Sequence, residues 1–114
     1  MQHEMGLFAG PYEAIHAGRK RFEIRLHDEK RRRIAVGDTI AFTRLPDGAG
    51  PLRVEVVGLR PYPSFQRLYE EVPLAAIDCD GWSMEELLSS TYKIYTREQE
   101  AQFGALAIEI RLLP

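Results

Sequence analysis

The sequence predicts an α+β fold: a small mixed β-barrel with short flanking helices, built as a single domain over residues 1–114. Three observations carry this prediction. Apolar residues recur with a period of two in short runs near 22–26, 39–43, 52–59 and 105–113, which read as four or five strands. Between them lie three or four short helical segments, two of them opened by capping boxes. Strands and helices do not alternate regularly enough for a doubly wound parallel sheet, so a small barrel with helices at its ends is the better architecture.

In chain order, Pro11 to Gly18 reads as the first helix, with proline in its first turn, Phe8, Tyr12 and Ile15 on one face, and Gly18 as its stop. The next segment sends Phe22, Ile24 and Leu26 to a core and Arg21, Glu23 and Arg25 to the opposite face. Runs from Thr39 to Thr43 and Leu52 to Leu59 flank Leu45-Pro46-Asp47-Gly48-Ala49-Gly50, whose Pro-Asp-Gly favours a tight turn, so they read as a hairpin ended by Pro61 and Pro63. Ser64 then starts a helix carrying Phe65, Leu68 and Tyr69 at helical spacing, and Val72 to Trp82 is irregular and acidic. Ser83 and Thr96 each stand three residues before a Glu or Gln, the spacing at which side chain and backbone cap each other at a helix start. The second of these helices stops at Gly104. The last run alternates Leu106, Ile108, Ile110 and Leu112 against Ala107, Glu109 and Arg111, a strand with one buried face.

The charge on the strand near residue 23 needs a reason. Lys20 shares the parity of Phe22, so it is expected at the helix-strand junction, before the alternation begins. In a cleft partly closed from water, Lys20 could hold a phosphate or polarise a carbonyl oxygen, Arg25 could offer a bidentate fork, and Glu23 could accept protons from a base amine. A Glu23 held in a wet cleft could lose its charge with little cost to stability. The structural alternative is that Glu23 and Arg25 pair with each other or with barrel neighbours and only tie the sheet together. Downstream, Lys30-Arg31-Arg32-Arg33 is either a solvated loop or a phosphate-binding one, and Trp82, Tyr92 and Tyr95 are either core residues or platforms for a base.

Residues 18–25 carry the pattern Gly-x-Lys-x-x-Glu-x-Arg through Gly18, Lys20, Glu23 and Arg25. The pattern resembles the signature of the ASCH domain, a small β-barrel family related to the PUA RNA-binding domains. The charged stretch from Leu26 to Ile34, the Gly37-Asp38 step into Thr39-Ile40-Ala41-Phe42, and the closing segments at 95–100 and 104–110 are similar, in order, to small stand-alone bacterial and archaeal members. The resemblance runs from about Met5 to Leu112. It implies a PUA-like barrel whose signature residues face a cleft between barrel and helices. The function it implies first is an RNA- or nucleotide-binding module, with Lys20, Glu23, Arg25 and Tyr95 around a nucleotide and Arg31, Arg32 and Arg33 on phosphates. The alternative is a nucleoside-directed hydrolase, either an amidohydrolase acting on acylated cytidine or a ribonuclease, with Lys20 and Glu23 catalytic. In the amidohydrolase pattern a Thr stands at the position of Glu23 and an acidic residue follows downstream, for which Asp80 is a loose counterpart. The hydroxyl nucleophile is therefore missing, and no histidine pair marks a ribonuclease. An interaction protein with no nucleic-acid role would leave the basic segment as plain surface.

Composition bounds these readings. The net charge of −2 conceals a segment, residues 19–33, in which eight cations face three anions, a local +5. A local patch of this kind, unlike the overall charge, is the footprint that phosphate contacts require. The single cysteine, Cys79, lies between Asp78 and Asp80, whose charges disfavour a thiolate. His3, His16 and His27 have no zinc-type spacing, so neither a metal nor a cofactor is expected. No apolar run approaches the roughly 20 residues that span a bilayer, and the amino terminus carries no secretory pattern. The expectation is a cytoplasmic protein with no membrane partner.

Overall fold

A computed structural model describes all residues from Met1 to Pro114. The strands are β1 (Gln2–Phe8), β2 (Phe22–Leu26), β3 (Thr39–Leu45), β4 (Leu52–Tyr62) and β5 (Ala105–Leu112). The helices are α1 (Ala9–His16), α2 (Glu29–Arg32), α3 (Phe65–Glu71), α4 (Met84–Thr91) and α5 (Arg97–Phe103), with a 3₁₀ turn at Leu74–Ala76. The five strands form one curled half-barrel sheet in the order β1-β3-β4-β5-β2. β1 runs parallel to β3, and the other three pairings are antiparallel. The two sheet edges, β1 and β2, are therefore near neighbours in the chain, joined by α1.

Each element follows from a local cause. Both capping boxes form: Ser83 and Glu86 open α4, and Thr96 and Gln99 open α5. α5 ends at Gly104, whose φ of 74° suits glycine and where an added Cβ would lie 2.7 Å from the Tyr62 carbonyl oxygen. Ser64 and Asp28 cap α3 and α2 through their side chains. The β3–β4 hairpin is present, but β4 runs on through Pro61 to Tyr62 instead of stopping before the prolines. The reason is topological. β3 pairs only with Leu52–Glu55 of β4, so the second half of β4 has β5 on one side alone and a missing N–H can face the open side.

Two apolar clusters lie on opposite faces of the sheet. One fills the half-barrel with Met5, Ile40, Phe42, Val54, Leu106 and Ile108, among others. The other packs α3 and α4 onto the sheet through Phe22, Leu26, Phe65, Leu68, Leu87 and Ala107. This corrects the expectation for β5: Ala105, Leu106, Ala107 and Ile108 are all buried, because the helices cover the face on which the alanines stand, while Leu112 at the strand end is exposed. Phe8 belongs to β1 and is 68% exposed; it does not extend the apolar face of α1, which buries Ala14 and Ile15.

Candidate functional site

Gly18, with φ of 81°, turns the chain out of α1, and Lys20 then forms an isolated antiparallel bridge with Ile77. Lys20 therefore sits at the helix-strand junction, free of the strand's alternation. Its Nζ donates to Glu23 Oε1 at 2.6 Å, and Arg25 Nε donates to Glu23 Oε2 at 2.6 Å. Arg25 Nη2 also donates to the Gly6 carbonyl oxygen at 2.9 Å. Since Glu23 stands opposite Ile108 and Arg25 opposite Leu106, the ion cluster faces the half-barrel interior, at the seam between β2 and β1. Lys30 Nζ, on α2, donates to the Glu4 carbonyl oxygen of β1.

The Glu23 side chain is 4% exposed, and those of Lys20 and Arg25 13% each. Burial pushes the Glu23 carboxyl up, but Lys20 and then Arg25 outweigh it by charge and hydrogen bonding and hold it below the usual carboxylate range. Glu23 thus stands in a buried ion cluster and not in a wet cleft. The structural pairing that the sequence left open is present.

The cleft itself lies between α1 and α4 and has a volume of about 540 Å³. Pro11, Ala14, Ile24, Ile77, Leu87 and Trp82 supply apolar walls, with Glu13, Lys20, Tyr69, Thr91, Ser90 and the Arg19–Asp78 pair as polar groups. Lys20 is the one member of the ion cluster that lines it; Glu23 and Arg25 lie behind Lys20. Trp82 is 41% exposed and Ile94 72% exposed on its lining. Cys79 also lines it, with its thiol pushed up by burial first and, against Lys20, by Asp78, which leaves it a poor nucleophile.

The remaining predicted site residues lie elsewhere. Arg31, Arg32 and Arg33 form α2 and its C-cap, beyond the far end of β2 from Lys20. Arg31 pairs with Asp28 at 2.8 Å and has its Nε buried without a partner, while Arg32 donates to the carbonyls of His27 and Phe103. Arg33, 71% exposed and 3.5 Å from Glu29, is the freest of the three. Tyr95 lies outside the cleft lining, stacked on Phe65 with ring centroids 5.5 Å apart and planes 10° from parallel. Asp80 is exposed and does not line the cleft, whereas Asp78 does.

Sequence reasoning treated Tyr69 as helix packing and passed over Thr91. The signal was there: a phenol at the position four residues after Phe65, on the inward face of α3, needs a hydrogen-bond partner. Thr91, 6% exposed at the end of α4, provides it at 2.7 Å. No three His, Cys, Asp or Glu side chains converge as a metal site would require.

A curled five-stranded half-barrel sheet with five short helices packed against it is the PUA-like fold. The family model described as the ASCH domain matches residues 5–114, and this chain belongs to that family. It is similar to the crystal structure of hypothetical protein PH0355, at 39% identity and a TM-score of 0.89, with 99% of this chain and 100% of that one covered. It is likewise similar to the solution structure of protein PF0455 from Pyrococcus furiosus, at 39% identity and a TM-score of 0.79 over 99% and 98% of the two chains. The ASCH domain from Lactobacillus crispatus shares the fold at 17% identity, with a TM-score of 0.64 and coverage of 97% and 79%. Among curated proteins none matches. No helix of the chain is long and apolar enough to cross a membrane.

Proposed function

We propose that this ASCH domain binds a nucleotide, free or within an RNA strand, with the base in the α1–α4 cleft and the phosphates toward exposed cations. The observation that carries the reading is the cleft: about 540 Å³, walled mainly by apolar side chains, with an ion-paired Lys20 on its lining. That combination of size, apolar walls and a few placed polar groups suits a nucleoside-sized ligand. Glu23 anchors the lysine, Arg25 anchors Glu23 and ties both edges of the sheet, and the amine is thereby held for an oxygen or phosphate of the ligand. The exposed Arg21 and Arg33 are the cations best placed for backbone phosphates, since Lys30, Arg31 and Arg32 are engaged within the protein.

Binding is favoured over hydrolysis by the role of Lys20. A lysine whose charge compensates a buried carboxylate serves as a fixed positive end and is poorly suited to take up a proton as a general base. Among the cleft hydroxyls, Thr91 already donates to the Leu87 carbonyl.

The test uses the only tryptophan. Trp82 lines the cleft, so its fluorescence should change saturably when mononucleotides or short single-stranded RNAs are titrated in. If neither its emission nor the melting temperature responds to any of the four mononucleotides or to RNA at millimolar concentration, the reading is wrong.

A further inference from the structure

Two short hydrogen bonds fix the direction of the Thr91 and Tyr69 protons on the cleft lining. Thr91 Oγ1 lies 2.8 Å from the Leu87 carbonyl oxygen, which has no proton to give, so the threonine hydroxyl must donate there. Tyr69 Oη lies 2.7 Å from Thr91 Oγ1. Thr91 has spent its only proton, so Tyr69 must be the donor in this second bond. The phenolic oxygen then keeps lone pairs and no proton for anything else. Burial, opposed by the Thr91 contact, keeps the phenol pKa above its ordinary value of 10, so Tyr69 holds that proton throughout the physiological range. Lys20, also on the cleft lining, is the converse: an ammonium has three donors and no acceptor, and its side chain makes a single bond, to Glu23. Ser90 is exposed, and its hydroxyl can turn either way.

We infer that the cleft selects its ligand by hydrogen-bond polarity, with Tyr69 Oη accepting from an N–H of the bound base and Lys20 Nζ donating to one of its acceptors. Tyr69 and Lys20 would then be the specificity-determining pair. The inference rests on the nucleotide-binding reading and sharpens it: the occupant is a neutral heterocycle carrying both an N–H and a carbonyl oxygen, as uracil, cytosine and guanine do. A base stripped of its N–H groups leaves the accepting lone pairs of Tyr69 Oη without a donor once the ligand has displaced water, and losses of this kind are larger than the gain from making the same bond.

The experiment compares uridine with 3-methyluridine, and cytidine with N4,N4-dimethylcytidine, by Trp82 fluorescence titration in three proteins. The parent should bind the N–H form about tenfold more tightly in each pair. In Tyr69→Phe that preference should collapse, because the acceptor is gone while the ring still fills the wall. In Thr91→Val the phenol remains but its proton is released, so Tyr69 can donate as well as accept, and the methylated bases should gain relative to the parent. A role for Tyr69 in packing alone moves neither ratio. Parent binding with both ratios unchanged in both variants overturns the polarity and leaves nucleotide binding standing; no binding of any nucleoside by the parent overturns both.

Discussion

Arg25 on β2 donates to the Gly6 carbonyl on β1 at 2.9 Å, and the same guanidinium holds Glu23 at 2.6 Å. One side chain therefore spans the two edges of the sheet and fixes the carboxylate that fixes Lys20. The half-barrel stays open as a ladder, yet its seam is bridged by the Arg25 charge, and Lys30 adds a tie from α2 to the Glu4 carbonyl of β1. Stability and site geometry consequently share the same residues.

Glu23→Gln tests this coupling. The substitution keeps the shape but turns one of the two accepting oxygens into an NH2 donor, and it leaves Lys20 and Arg25, each 13% exposed, without their counter-charge. Removing one partner from a buried ion cluster costs about 3 kcal/mol or somewhat more. For a domain of this size that is roughly a 10 °C loss in melting temperature. A melting temperature within a degree or two of the parent would show that the cluster is hydrated in solution.

The pH dependence follows from the depressed Glu23 carboxyl. Because its folded pKa lies below the unfolded value near 4.5, the ion cluster contributes its full stability above that pH and loses it as pH falls through the folded pKa. Asp38, held near 2 by the His3 ring and the Ala35 N–H, contributes in the same direction, its share falling away as pH drops below its ordinary value of 3.8. Urea denaturation midpoints should be level from pH 7 to about 5 and fall below that. The stability gap between parent and Glu23→Gln should narrow as pH drops below about 4.5, since protonation does to the parent what the substitution does to the variant. A gap constant down to pH 3 would mean that Glu23 titrates alike in the folded and unfolded chain, and that its carboxyl is not held low by Lys20 and Arg25.

What the residues disclosed in advance depended on how local the physics was. The capping boxes at Ser83 and Thr96, the turn after Leu45, and the parity of Phe22, Ile24 and Leu26 rest on neighbours within four residues, and all are present. β1 was not legible: Gln2-His3-Glu4-Met5-Gly6 has no β-branched residue, and it is a strand because the distant β3 pairs with it in parallel while Met5 and Leu7 enter the core. The site divided in the same way. Alternation placed Glu23 and Arg25 on one face, but only the register with β5 reveals that this face looks into the barrel. Tyr69 meeting Thr91 is a contact between two helices 22 residues apart, beyond any local pattern.

The α2 arginines separate fold from function. Arg33→Ala should leave the melting temperature unchanged and lower the slope of log affinity for single-stranded RNA against log salt by about 0.7, the value for one lost phosphate contact. Arg32→Ala should instead lower the melting temperature, because its guanidinium joins the His27 and Phe103 carbonyls and thereby ties α2 to the end of α5. Equal salt slopes for parent and Arg33→Ala would remove that residue from the RNA surface.

Tyr95 gives the sharpest division between a core aromatic and a base platform. Its ring lies nearly parallel to that of Phe65, which is fully buried, and that face is unavailable to any ligand. Tyr95→Phe retains the stack and should change stability by less than about 0.5 kcal/mol, within the range of a substitution that leaves packing intact. Tyr95→Ala removes the partner of Phe65 and opens space beside it, with an expected cost of about 2 kcal/mol, less than for a fully buried aromatic because Tyr95 is only half-buried. Since the ring does not line the cleft, nucleotide affinity measured on the folded fraction should be the same in all three proteins. A Tyr95→Phe protein that is as stable as the parent yet binds nucleotide several-fold more weakly would place the Tyr95 hydroxyl at the ligand, and the boundary of the site would have to move from α4 toward α5.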